Sequence, residues 1–137
     1  MLVTQARAME INEALGTLLL ASSYYCGIEV YMQNYTVHPS NFPRDEIRIA
    51  CTAGSLVTQI AGNAFLAQIL IKSAHPARTM AKFHGGAFSL ALGAYQLKMA
   101  KYYENNERER DRFTGYAGIC GVIGGGLLWS ATNDTKN

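Results

Sequence analysis

The stretch FTGYAGICGVIGGGLLWSA, residues Phe113–Ala131, is the part of the chain that decides the fold. It runs for nineteen residues without a charged side chain, and six of those residues are glycine. An interior glycine costs a helix in water about 1 kcal/mol relative to alanine. In a bilayer the backbone must hydrogen-bond within its own segment, and glycine lets two helices approach closely. Because about 20 residues cross the hydrocarbon, the stretch predicts a transmembrane helix that packs against a partner.

Uncharged stretches of this kind recur along the 137-residue chain, in which only 16% of residues are charged. An average soluble domain has about 25% charged residues. The four uncharged windows hold 15, 23, 15 and 19 residues and are Ala14–Ile28, Ile49–Ile71, Phe83–Leu97 and Phe113–Ala131. Two of these windows reach the length that spans a membrane, whereas the other two reach it only with their polar flanks.

The windows predict an all-α fold, a four-helix transmembrane bundle with small-residue helix packing. We expect one domain over residues 1–137, with helices at about 4–31, 44–73, 79–104 and 113–132. Ser40 or Asn41 caps the second helix with Pro43 in its first turn, and Thr79 caps the third. The charged segment ENNERERDR, residues 104–112, is interpreted as a solvated helix end and turn, with a docking site for a partner subunit as the alternative.

Small residues recur every four positions in three of the windows, which places them on one face of each helix. Such ridges allow close helix packing in membranes. The predicted packing residues are Ala50, Gly54, Thr58 and Gly62, then Ala81, Gly85, Ser89 and Gly93, and finally Ala117, Gly121 and Gly125.

Polar uncharged side chains also occur within the apolar helices. Gln59, Asn63 and Gln68 are expected to face neighbouring helices and to hydrogen-bond with them. The alternative is that these three amides and Gln96 line a polar path, as in a small membrane carrier or pore. In a soluble bundle the three amides of the second helix would instead face water.

The sequence contains no pattern that indicates catalysis. It lacks a phosphate-binding loop, a nucleophile elbow and a metal-ligand spacing, and its windows hold no Asp, Glu, Lys or Arg that would indicate an ion pathway. Cys26, Cys51 and Cys120 lie inside the windows and are expected to be buried and inert. We therefore predict a protein that is not an enzyme and has neither a metal nor a cofactor.

A small basic cluster follows the second window. It consists of Lys72, His75, Arg78 and Lys82, and its charge fits the headgroup of an anionic lipid such as cardiolipin. The net charge of +2 and the lack of a basic stripe exclude nucleic acid from the expected partners.

Four glycine-rich windows with four-spaced ridges resemble the four-span translocase family of the mitochondrial inner membrane, which includes an accessory subunit of respiratory complex I. The resemblance is carried by Gly54-x3-Thr58-x3-Gly62, Gly85-x3-Ser89-x3-Gly93 and Gly121-x3-Gly125, and it concerns the layout of residues 14–131. It implies a structural membrane subunit or a translocase component, without catalytic residues.

From these patterns we predict a non-catalytic integral membrane subunit of a larger complex, with a structural or assembly role. The expected setting is a respiratory or other energy-converting assembly of the mitochondrial inner membrane, and the expected partners are other membrane subunits and lipids. A carrier, pore or translocase component is one alternative. A soluble helical bundle that binds a partner is the other.

Overall fold

Four α-helices make up most of the computed structural model, which describes residues 9–32 and 44–135. They are α1 (Ile11–Met32), α2 (Arg44–Leu70), α3 (Pro76–Tyr102) and α4 (Glu107–Asp134). No strand occurs in these ranges, so the predicted all-α class is confirmed. The predicted start of the first helix near residue 4 and the predicted cap at Ser40 or Asn41 with Pro43 lie outside the described residues.

The third helix begins one turn earlier than predicted. Pro76 occupies its first turn after His75, because proline lacks the N–H that this turn would leave unpaired. Thr79 is therefore inside the helix and is not its cap. Its hydroxyl contacts Ser73 Oγ at 2.7 Å and donates to Asp134 Oδ2 at 3.3 Å.

The fourth helix also begins earlier, at Glu107, so most of the charged segment 104–112 is helical. Asn106 caps it, since its side-chain oxygen accepts from the Glu109 N–H at 3.3 Å. Glu107 and Glu109 lie in the first turn, where carboxylates complement the positive end of the helix dipole.

The helices are arranged as neighbours in the order α2, α1, α3, α4. Helix α1 packs along α2, α3 packs along α4, and an interface between α1 and α3 joins the two pairs. Contacts between α2 and α3 are few. The largest cluster of buried apolar side chains lies where the pairs meet and contains Leu20, Leu66, Ile69, Phe83, Ala87, Leu128 and Ala131. The central helices are thus α1 and α3, and the outer helices are α2 and α4.

Two of the four helices, the outer ones, are long and apolar enough to cross a membrane, namely α2 over Arg48–Leu70 and α4 over Glu107–Asp134. Only 11% and 17% of the residues in their apolar windows are buried within this chain. The central helices α1 and α3 fall short of this combination of length and apolarity. The four predicted spans are therefore reduced to two helices of sufficient length and apolarity within the described part of the chain.

The outer helices direct large apolar side chains away from the rest of the protein. On α2, Ile49 and Ile60 are each 71% exposed, and on α4 Val122 is 77% exposed. Leu56, Val57, Ile119, Ile123 and Trp129 are exposed on the same two helices. The described structure therefore has an extensive apolar surface that its own core does not cover.

Candidate functional site

The interface between α1 and α2 is built on a close approach of two glycines. A Cβ added at Gly62 would lie 3.0 Å from Leu20 Cγ and 3.1 Å from the Gly16 carbonyl oxygen. A Cβ at Gly16 would lie 2.8 Å from Leu66 Cγ. The two backbones can approach this closely only because neither residue carries a side chain, so leucines from each helix pack over the glycine of the other.

The interface between α3 and α4 repeats this arrangement. A Cβ at Gly86 would lie 2.6 Å from Leu128 Cγ and 3.1 Å from the Gly124 carbonyl oxygen. Farther along the same helices, a Cβ at Gly93 would lie 3.5 Å from the Ala117 carbonyl oxygen. Gly86 and Gly124 thus occupy the equivalent place to Gly16 and Gly62 in the other helix pair.

The predicted packing residues are divided between interfaces and outward faces. Those that are buried or half-buried are Gly54, Thr58, Gly62, Gly85, Ser89, Gly93 and Ala117, whereas Ala50, Ala81, Gly121 and Gly125 are exposed. No atom of a neighbouring helix lies within 4 Å of a Cβ added at Gly121 or Gly125. Helix α4 packs mainly on α3, along a line through Ala117, Gly124 and Leu128, and the two predicted glycines face away from that line.

Three close-packed glycines were missed by the spacing argument: Gly16, Gly86 and Gly124. Two of them are adjacent in sequence to a predicted packing glycine: Gly86 follows Gly85, and Gly124 precedes Gly125. A four-residue period fits either member of such a pair. The sequence signal was therefore present, but only the position of the facing helix selects between the two faces.

A polar chain joins three helices at His84. Its Nε2 lies 2.8 Å from Asn63 Oδ1 on α2, and its Nδ1 lies 2.5 Å from the Tyr24 hydroxyl on α1. An amide oxygen only accepts, so Nε2 carries the proton and donates it, and in the neutral ring Nδ1 accepts from the tyrosine. Both ring nitrogens are thus engaged within the protein, and this histidine connects α3 with α1 and α2.

A second polar cluster lies between α1 and α2. Ser23 Oγ is 2.8 Å from the Ser55 carbonyl oxygen and 2.9 Å from Gln59 Oε1, while the Ser55 hydroxyl donates to the Ser23 carbonyl oxygen at 2.9 Å. Gln59 and Asn63 therefore hydrogen-bond in two separate interhelical contacts. Gln68 is exposed, and Gln96 is half-buried on α3. The four amides do not gather around one polar path.

Ion pairs connect the helices near both ends. Lys98 Nζ on α3 donates to Glu29 Oε1 on α1 at 2.5 Å, and Glu29 is 4% exposed. Lys82 Nζ donates to Asp134 Oδ2 at 2.6 Å and so connects α3 with α4. The Lys82 ammonium holds the pKa of the Asp134 carboxyl below its usual value. Lys82 and Lys98 are sixteen residues apart, which is about 24 Å along a helix.

A buried carboxylate lies at the same end as Lys82. Glu13 is fully buried, and the Thr135 hydroxyl donates to its Oε1 at 3.2 Å. This contact links the start of α1 to the residue after α4. Together with the Lys82–Asp134 pair, it places a polar layer at one end of the helices, while the Lys98–Glu29 pair lies at the other end.

The predicted headgroup site is partly engaged within the protein. Lys72, His75 and Arg78 are exposed around the turn between α2 and α3. Lys82 is half-buried and pairs with Asp134. An external anion can therefore reach the exposed residues of this cluster. Two of these residues, Lys72 and Arg78, carry a permanent positive charge.

The three cysteines are half-buried, which corrects the prediction that they are buried. Two of them, Cys26 and Cys51, are neighbours across the interface between α1 and α2 and interact there. Cys120 lies apart from them, against Gly93 in the interface of α3 and α4. Within residues 9–32 and 44–135, no three His, Cys, Asp or Glu side chains come together in a way that could hold a metal ion.

The chain was compared with known protein families, curated proteins and solved structures. No family model, curated protein or solved structure matches the chain.

Proposed function

We propose that the chain is a non-catalytic integral membrane protein that acts as a structural subunit of a larger complex. The observation that carries this proposal is the distribution of apolar surface. The two helices with the length and composition to cross a bilayer are the outer helices, and 11% and 17% of their apolar windows are buried. A helix of a soluble protein that is this apolar would be expected in the core.

The polar groups support the same proposal. Each of the two ends of the helices carries an interhelical ion pair, and these pairs are separated by about 24 Å along α3. The layer between them holds no Asp, Glu, Lys or Arg in any of the four windows. The polar side chains that do occur there, such as His84 and Ser23, hydrogen-bond to neighbouring helices, as polar groups in membrane helices do.

The outward glycines of α4 support a role inside a complex. A Cβ added at any of Gly115, Gly118, Gly121, Gly125 or Gly126 would meet nothing within 4 Å. A shallow groove of about 460 Å³ beside them is lined by Ile119, Val122 and Ile123 together with two of these glycines. Glycine weakens a helix unless close packing compensates, and within the described chain these five receive none. A helix of another subunit would supply that packing.

The mitochondrial inner membrane and an energy-converting assembly remain the proposed setting, on the basis of the four-window layout alone. Anionic lipid at Lys72 and Arg78 is proposed on the same footing, since both are exposed beside the turn between α2 and α3. Subcellular fractionation of the tagged chain tests the compartment independently of the membrane proposal.

The test of the function is carbonate extraction of native membranes followed by a native gel that is probed for this chain. Retention in the pellet and migration in a large complex are the expected results. Retention with migration as a small species would contradict the subunit role and favour a carrier or pore. Release into the supernatant would contradict membrane insertion and favour a soluble bundle that binds a partner.

A further inference from the structure

The interface between α1 and α2 brings together two of the three thiols in the chain. The helices run antiparallel, and Ser23 Oγ and Ser55 Oγ lie 3.1 Å apart across the interface. Cys26 is three residues after Ser23 on α1, and Cys51 is four residues before Ser55 on α2. Both cysteines thus lie one turn farther along the same interface. The register of the helices alone therefore places these cysteines opposite each other.

Contacts around the two cysteines agree with that register. A Cβ added at Gly54, which is three residues from Cys51 and on the same side of α2, would lie 3.8 Å from Cys26 Sγ. The Cys51 thiol interacts with Cys26 across this interface. A disulfide requires Cα atoms about 4.4–6.8 Å apart, and small residues at Gly54 and Ser55 allow the two backbones to come this near.

Both thiols are accessible to a reagent. Cys26 lines an open groove of about 480 Å³ between α1 and α3, beside Ser22 and Tyr25. Cys51 is half-exposed on α2. The Glu29–Lys98 ion pair lies near Cys51, and Lys98 is 31% exposed. The two cysteines therefore lie near a charged end of the helices that a small reagent can reach.

We propose that Cys26 and Cys51 form a dithiol that closes into a disulfide between α1 and α2 by exchange with a small-molecule disulfide. One thiolate attacks the reagent disulfide, forms a mixed disulfide and releases one thiolate of the reagent. The second cysteine then attacks the mixed disulfide, forms the Cys26–Cys51 bond and releases the other half of the reagent. Two electrons pass from the protein to the reagent, and the two cysteine protons end on the two released thiols.

The consequence for the fold is a covalent connection between a central and an outer helix. The bond would close a loop that contains the connection between α1 and α2, and it would fix the register that Ser23 and Ser55 set by hydrogen bonds alone. Cys120 is in a different interface, where it serves as an internal control for reactivity without a partner thiol.

The test treats the full-length chain in membranes with oxidised glutathione, denatures it in SDS and counts additions of a maleimide–polyethylene glycol. The reduced chain has three cysteines and takes three additions. After oxidation we expect one addition, and we expect tryptic mass spectrometry to recover a peptide that links Cys26 to Cys51. The Cys120→Ser variant should fall from two additions to none. In Cys26→Ser and Cys51→Ser the exchange cannot pass the mixed disulfide, so mass spectrometry should recover a glutathione adduct on the remaining cysteine and no linked peptide.

Three outcomes would overturn the proposal. They are three additions after oxidation, protection that appears only in a disulfide-linked dimer on a non-reducing gel, and a linked peptide that contains Cys120. The wild-type mass measurement does not depend on whether a serine variant folds, and none of these outcomes depends on the proposed subunit role.

Discussion

Individual glycines in this protein have opposite roles that depend on which face of a helix they occupy. Gly86 lies against the backbone of α4 at Gly124, whereas Gly126 on α4 faces outward with open space beyond it. A methyl group at the first position must displace backbone or a leucine side chain. At the second position it meets nothing and only improves the helix propensity.

Gly86→Ala should therefore destabilise the isolated chain in detergent by about 1–3 kcal/mol, since overpacking of a close contact has that cost. The added Cβ would lie 2.6 Å from Leu128 Cγ. Thermal unfolding followed by circular dichroism measures the change. Gly126→Ala is the matched control and should leave stability unchanged or raise it by up to about 1 kcal/mol. Equal stability of the two variants would contradict the described α3–α4 interface.

At the scale of helices, polar contacts determine which elements stay together. The α1–α3 interface contains the Glu29–Lys98 ion pair, and the α3–α4 interface contains the Lys82–Asp134 pair. Glu29 is nearly buried, while Asp134 lies beyond the uncharged window 113–131 at the end of α4. The two pairs are therefore expected to differ in how strongly the fold depends on them.

Lys98→Met should lower the free energy of unfolding by about 3 kcal/mol, because it leaves the Glu29 carboxylate buried without its cation. Removing one partner of a buried ion pair costs about 3–5 kcal/mol, and we expect the lower value because Lys98 is 31% exposed. The double variant Glu29→Gln with Lys98→Met should recover most of the loss, as measured in a double-mutant cycle by chemical denaturation. A double variant that is as unstable as the sum of its single variants would show that the two side chains do not interact.

The Lys82–Asp134 pair predicts a dependence of stability on pH. The pKa of the Asp134 carboxyl is lower in the folded state than its unfolded value of about 3.8. The ionised carboxylate therefore stabilises the fold above the unfolded pKa, and this contribution is lost as the pH falls through the folded-state pKa. The melting temperature of the wild-type chain should therefore fall more steeply below about pH 4 than that of Asp134→Asn. Parallel profiles for the two proteins, measured by calorimetry, would rule out the pairing as a source of stability.

At the scale of the whole molecule, the buried contacts lie between the helices, while large apolar side chains are exposed on all four of them. Leu18 on α1 is 62% exposed and Leu97 on α3 is 56% exposed, compared with 71% for Ile60 on α2 and 77% for Val122 on α4. Extensive exposed apolar surface is typical of proteins whose faces contact lipid or another protein. A charged side chain placed at an exposed apolar position has a different free-energy cost in a membrane protein and in a soluble bundle.

Val122→Arg provides that comparison, because Val122 lies in the middle of the window 113–131 and is 77% exposed. In a membrane, an arginine at the centre of a span costs about 2.5–3.5 kcal/mol on insertion scales, so the variant should shift from the carbonate pellet toward the supernatant or fail to insert. In a soluble bundle the same exposed change would alter stability by only about 0.5 kcal/mol. Val122→Leu is the control and should stay in the pellet, and full retention of the arginine variant would contradict a spanning α4.

The sequence by itself determined the number and type of the helices, since each uncharged window forms the body of one helix, although α3 and α4 begin earlier than the windows predict. It also located the two helices with the length and apolarity to cross a membrane, because length and composition are local properties. Only the tertiary structure decided which face of each helix is in contact. Consecutive glycines such as Gly85 and Gly86 satisfy the same four-residue period, and the facing helix selects one of them. For the same reason, the meeting of Tyr24, Asn63 and His84, and that of Cys26 and Cys51, could not be predicted. Residues distant in sequence are brought together by the register of packed helices, which no local pattern encodes.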